Sequence, residues 1–175
     1  MLKRIQVVSP RFLTSFSTAV AVPNRAVVYT QNGDPAEVLR VIDYPPLPPP
    51  PPQTANIRFL LSPVNPADIN VVEGAYPAKA TPIQGPDKKY IFIGGNEGLA
   101  KVVKAGDGVV ELREGDWVVM TKPQSGTWCS ERNVQPNDVL KLPLTQGLTD
   151  VQAATITVRR PRMLLCERLT YSLTG

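Results

Sequence analysis

Ile91-Phe-Ile-Gly-Gly-Asn-Glu-Gly-Leu-Ala-Lys-Val-Val-Lys-Ala105, continued by the turns Gly106-Asp-Gly108 and Arg113-Glu-Gly-Asp116 and by Trp117-Val-Val-Met120, decides the fold class. Short apolar, β-branched runs alternate here with turns built on glycine and aspartate. The runs are too short for helices, and their punctuation is that of consecutive strands. Gly94-Gly-Asn-Glu-Gly98 packs three glycines into five positions, which permits a tight turn and the close approach of another element. It is not a phosphate loop, because it has neither GxGxxG nor the P-loop Lys-Ser/Thr.

The same grammar extends outward. Toward the N-terminus, Arg25-Ala-Val-Val-Tyr29 reads as a strand closed by Asn32-Gly33, and Val38-Leu-Arg-Val-Ile-Asp43 as another. Seven prolines fill the eight positions 45–52. That run adopts polyproline II, either as a stiff connector between strands or, through the Pro45/Pro48 spacing, as a ligand for an SH3 or WW domain. Asn56 to Ser62 is strand-like. Asn65-Pro-Ala-Asp68 opens a short helix, with Asn65 as cap, Pro66 in the first position and Asp68 at the positive end of the dipole. Gly74 closes it and delivers Tyr76 into the following loop. Toward the C-terminus, Gly126-Thr-Trp128 precedes a short extended piece and Val139 to Leu142 reads as a strand. Thr149-Asp-Val-Gln152 is a capping box that opens a second helical run through Ala153, Ala154 and Ile156. Roughly seven strands and two brief helices argue a β-barrel or sandwich.

Composition narrows the chemistry. The chain has 175 residues, no histidine and two cysteines, Cys129 and Cys166. Ser/His and Cys/His nucleophile pairs, histidine bases, His-containing zinc sites and a Cys₄ cage are excluded. The formal charge of +4 lies at the ends: residues 1–22 carry +3, residues 159–175 carry +3 and the body carries −2. A body of that charge offers no nucleic-acid surface, and no apolar run approaches the length of a membrane span. Residues 1–22 are basic, hydroxyl-rich and acid-free, the pattern of a mitochondrial presequence cleaved between Ala19 and Pro23. Two cysteines in a reducing matrix are expected to stay free thiols.

The ordered pieces Val64-Asn-Pro-Ala-Asp-Ile-Asn70, Gly74-Ala-Tyr-Pro77, Gly94-Gly-Asn-Glu-Gly98, Glu114-Gly-Asp-Trp-Val118 and Gly126-Thr-Trp128 resemble the mitochondrial trans-2-enoyl thioester reductases of the medium-chain dehydrogenase/reductase superfamily. The resemblance runs from Arg25 to Val158. It implies a mainly β fold, a GroES-like, partly open β-barrel with short helices over residues 23–158. It also implies NADPH as hydride donor, enoyl groups on acyl carrier protein or CoA as substrates, and mitochondrial fatty-acid synthesis in the matrix as the setting. Zinc alcohol dehydrogenases of the superfamily have Gly-His-Glu where this chain has Gly95-Asn-Glu97, which fits a zinc-free reductase.

The reaction needs a hydride on the β-carbon, a proton on the α-carbon and a donor facing the thioester oxygen, where charge builds. The resemblance assigns that donor to Tyr76; read alone, Tyr76 is a loop aromatic packed on the barrel. Asn65 and Asn70 are candidates for substrate binding, against a cap and a local hydrogen-bonding residue. Trp128 is a candidate lining of an acyl pocket, against a core tryptophan. Glu97 reads as a buried, hydrogen-bonded turn carboxylate, and both cysteines as inert.

After Thr155-Ile-Thr-Val158 the family pattern calls for an asparagine facing the nicotinamide nucleotide, then a proline and a Thr-Ala-Tyr helix. The chain instead reads Arg159-Arg-Pro-Arg162 and a leucine-rich remainder. Residues 159–175 are therefore expected to be a basic tail outside the family, from a shifted frame, a retained intron or a gene-model error, with a genuine tail helix as the alternative. On this reading the Rossmann domain is missing. The chain alone holds no NADPH tightly and is inactive, and the family's homodimer contact goes with the absent domain. The competing function is a non-catalytic interaction module that uses the proline run.

Overall fold

The computed structural model describes residues 23–77, 80–85, 88–142 and 147–159. The presequence, Cys166 and the tail from residue 160 onward lie outside them. In chain order the strands are β1 (Asn24–Tyr29), β2 (Arg40–Tyr44), β3 (Ala55–Leu61), β4 (Ile83–Gln84), β5 (Tyr90–Ile93), β6 (Leu99–Ala105), β7 (Trp117–Met120), β8 (Glu131–Val134) and β9 (Val139–Lys141). The helices are α1 (Pro35–Val38), α2 (Pro66–Glu73), α3 (Asp150–Ala154) and α4 (Ile156–Arg159). The fold is mainly β, with short helices, as the sequence implied.

Two antiparallel sheets form. One has four strands in the order β2-β1-β5-β4, the other five in the order β8-β3-β6-β7-β9. The segment before β8 stitches them together. Val27 N–H donates to Trp128 O at 2.8 Å and Ser130 N–H to Arg25 O at 2.7 Å, while Phe59 N–H donates to Ser130 O at 2.9 Å. One short stretch is thus bonded to β1 of the first sheet and β3 of the second, and the barrel is partly open.

At their paired ends β6 and β7 bury both faces, which is why they read as continuous apolar runs. In the β6–β7 register Ala100 faces Val118 and Leu99 faces Val119. Ala100 and Val118 belong to the interior with Ala55, Ile57 and Val102, while Leu99 and Val119 pack outward against Ala153 and Ala154 of α3. This is the period-two alternation of a strand with a helix laid on its outer face. Full burial of a side chain such as Ile57 or Leu99 stabilises by roughly 1.5–3 kcal/mol.

One expectation is corrected. Val38 and Leu39 do not begin a strand: Pro35–Val38 is a helical turn, capped by Asp34 Oδ1, which accepts Ala36 N–H at 2.9 Å. Asp34-Pro35 is itself an N-cap and first-position signal, and it outweighs the β-branched residues behind it. Strand β2 starts at Arg40. The proline run links β2 in one sheet to β3 in the other. Pro48 O accepts Asn56 Nδ2 at 2.8 Å, Pro51 O accepts Thr54 Oγ1 at 2.8 Å, and Gln53 N–H donates to Asp107 O at 2.8 Å. These bonds tie the carbonyls of the run and the residues after it to the neighbouring chain.

Candidate functional site

The site is organised by α2. Asn65 has extended dihedrals and Pro66 opens the first turn. Asp68 Oδ2 accepts the Asn65 N–H at 2.7 Å, half of a reciprocal cap. The Asn65 side-chain Nδ2 donates to Glu97 Oε1 at 3.0 Å. At the other end Gly74 takes φ 84°, the left-handed conformation that favours glycine. The chain then folds back: Ala75 and Tyr76 N–H both donate to Asn70 O, at 2.9 and 3.1 Å. Asn32, read only as part of a turn, also serves this helix. Its Nδ2 donates to Val71 O and Val72 O at 3.0 Å each, satisfying carbonyls at the C-terminal end.

Tyr76 therefore stands on a fixed backbone with its side chain 41% exposed. Asn70 also faces outward, on the exposed side of the last turns. Asn65 and Tyr76 are not neighbours, since the eight residues of α2 put about 12 Å of helix between them.

The glycine-rich turn fills the space beside Asn65. Thr127 Oγ1 donates to Glu97 O at 2.7 Å, Trp128 N–H to Gly94 O at 2.9 Å and Gly126 N–H to Gly95 O at 3.1 Å. The two motifs Gly94–Gly98 and Gly126–Trp128 are thus one interlocked unit. A methyl group on Gly94 would lie 2.3 Å from Trp128 Cε3, so the indole occupies the room that glycine leaves. Trp128 is half-buried, and its Nε1 donates to Pro63 O at 3.2 Å. It borders an apolar groove of about 460 Å³ with Phe59, Leu61 and Val64. Tyr76 is not part of that groove's lining.

Two carboxylates are buried here, Glu97 at 1% exposure and Asp68 at 2%. Burial holds the Asp68 carboxyl above the usual carboxylate range. N–H groups of Asn65 and Asn96 pull it back, and the nearby Glu97 pushes it further up. Glu97 Oε2 accepts a hydrogen bond from Thr157 Oγ1 of α4 at 3.0 Å, a partner that nothing in the sequence pattern announced. Asn96, in the position of the zinc enzymes' histidine, accepts Gln124 N–H on Oδ1 at 2.8 Å. Cys129 is buried, which pushes its thiol up to about 11, and burial of this kind disfavours the reactive thiolate.

No group of three or more His, Cys, Asp or Glu side chains is gathered for a metal among the described residues. No helix of the described residues is long and apolar enough to cross a membrane. Among the described helices, the N-termini of α1, α2 and α3 carry Asp34, Asp68 and Thr149-Asp150, whose side chains take free N–H groups or place an acid where an anion would sit.

The alcohol dehydrogenase GroES-like domain family matches residues 51–160. The mitochondrial enoyl-[acyl-carrier-protein] reductase of Yarrowia lipolytica is 40% identical over 137 residues, 77% of this chain and 35% of that protein. Enoyl-[acyl-carrier-protein] reductase 1 of Candida tropicalis, also mitochondrial, is 36% identical over 170 residues, 87% of this chain and 43% of its own length. The solved Etr1p/NADP/crotonyl-CoA complex superposes with a TM-score of 0.74 at 36% identity, covering 78% of this chain and 41% of that one. The chain thus spans less than half the length of these relatives. Barrel, interlocked turns and the match over residues 51–160 agree: the chain belongs to the alcohol dehydrogenase GroES-like domain family, and the relatives it resembles there are mitochondrial enoyl-acyl-carrier-protein reductases.

Proposed function

We propose that this chain is the substrate-side part of an NADPH-dependent trans-2-enoyl thioester reductase of mitochondrial fatty-acid synthesis, acting on acyl groups carried by acyl carrier protein or CoA. The names of the relatives and the crotonyl-CoA in the Etr1p complex support this reading. The observation that carries it is Tyr76: an exposed phenol on a backbone pinned twice to Asn70 O, directly after a capped helix. Such a donor meets a substrate without paying to order its own loop.

NADPH supplies the hydride when bound, and the described residues are not expected to hold it tightly. Their own part is to orient the thioester and to polarise it. Tyr76 donates a hydrogen bond to the thioester oxygen as negative charge develops there. Trp128, with Phe59, Leu61 and Val64, is assigned to the acyl chain. Asn70 presents an exposed amide that is open to substrate, whereas the Asn65 amide is engaged with Glu97 and acts on the substrate through the position of α2.

In the longer protein that carries the nucleotide domain, Tyr76→Phe lowers turnover by about 10²-fold with a smaller change in KM. Undiminished turnover removes the proton-donor assignment. Residues 23–158 are taken as the GroES-like body and 159–175 as a basic segment outside it. The acid-free composition of residues 1–22 supports import into the matrix with removal of that segment. N-terminal sequencing of the imported protein is expected to begin near Pro23; a matrix protein that retains Met1 contradicts the cleavage.

A further inference from the structure

Glu97 is the point at which three separate parts of the chain meet. Its Oε1 accepts Asn65 Nδ2 at 3.0 Å, 32 positions away, and its Oε2 accepts Thr157 Oγ1 at 3.0 Å, 60 positions away. Its backbone oxygen accepts Thr127 Oγ1 at 2.7 Å. With 1% exposure it is out of reach of substrate. A buried carboxylate costs several kcal/mol of desolvation unless its oxygens are satisfied. Its two side-chain oxygens are directed at two different elements, the start of α2 and the helix α4.

We infer that Glu97 is a positioning residue that registers α2, and with it Tyr76, against α4. The mechanical path is short. Asn65 is the N-cap of α2, and Asp68 on the next turn locks Asn65 N–H at 2.7 Å. The far end of the same helix, through Asn70 O, carries the backbone N–H of Tyr76 at 3.1 Å. A helix of eight residues moves as one rigid body on this scale, so a shift of its N-cap is passed to the loop that holds the phenol. A displacement of α4 reaches Thr157, then Glu97, then Asn65. The catalytic consequence rests on the Tyr76 reading; the coupling itself does not.

The test uses the full chain and amide resonances, which need no turnover. Thr157→Val removes the hydroxyl donor and keeps the shape. It is expected to shift the Asn65 side-chain amide and the Tyr76 backbone amide. In the Asn65→Ala background the same substitution is expected to leave Tyr76 unmoved. In the Glu97→Gln background the response of Tyr76 to Thr157→Val is expected to persist, because glutamine can still bridge both partners. Thr157→Val that leaves Tyr76 unmoved in the otherwise unchanged chain overturns the inference. A Tyr76 shift of the same size with and without Asn65, or its loss in Glu97→Gln, overturns it as well. If the coupling holds while Tyr76→Phe leaves the longer enzyme's turnover intact, the reductase role of Tyr76 fails and the positioning role stands.

Discussion

Asp68 lies at the third position of α2, 2% exposed, with Oδ2 on the Asn65 N–H and Oδ1 without a hydrogen-bond partner among the described residues. Burial raises its folded pKa above that of the unfolded chain. As pH rises out of the ordinary carboxyl range, the unfolded chain releases this proton first. Folded stability therefore falls as pH climbs through the raised value, and above that value the loss stays constant. Asparagine at this position still offers an oxygen to Asn65 N–H and has no charge to desolvate. Asp68→Asn is expected to flatten this part of the curve, so that Tm of the wild type declines relative to the variant between acid and neutral pH. Thermal melts across that range check it; a constant difference in Tm at every pH contradicts it. The carboxylate's compensation for its burial is local order at the start of α2, the helix on which Tyr76 depends.

At the scale of elements, what could be read from the sequence was whatever is written within a few residues. Asn65-Pro66 and Gly74 state the two ends of α2 in the local chemistry of caps, and the helix occurs there. Leu99–Ala105 and Trp117–Met120 are apolar runs between glycine turns, and both strands occur with those bounds. The misread element, α1, had its signal at Asp34-Pro35, where a cap competes with the β-branched residues that follow. Strand β4 has two residues, too few for any period to show. The site differs in kind. Tyr76, Trp128 and Asn65 were visible as candidates, but the bonds that organise them join positions far apart. Asn65 reaches Glu97, Thr157 reaches the same side chain, and Asn32 caps a helix from 39 and 40 positions away. Local spacing carries no record of such pairings, because tertiary packing alone decides them. Gly94 shows the intermediate case: three glycines in five positions announced a close approach, but only the fold identifies the Trp128 ring as what approaches.

At the scale of the whole molecule, the described barrel presents an apolar surface and an exposed phenol. Val41 and Val64 are 68% and 67% exposed beside the Trp128 groove, with Leu60 and Leu61 next to them at 41% and 38%. Hydride transfer needs the donor carbon held about 3–3.5 Å from the acceptor, and that positioning supplies a large part of the rate. A dinucleotide is held by a glycine turn at an open helix N-terminus. The glycine turn of this barrel is filled by Thr127 and Trp128, and the N-termini of α1, α2 and α3 carry Asp34, Asp68 and Thr149. The 175 residues alone are therefore expected to leave NADPH unoxidised in the presence of a trans-2-enoyl thioester, however well the barrel folds and however well Tyr76 is placed. Joining a relative's nucleotide domain after Val158 is expected to restore oxidation, and Tyr76→Phe to diminish it again. The first measurement separates positioning from polarisation, because the phenol is present and the hydride donor is not held. Thioester-dependent NADPH oxidation by the purified short chain would show that the barrel carries a nucleotide site of its own, and would overturn the division of labour argued above.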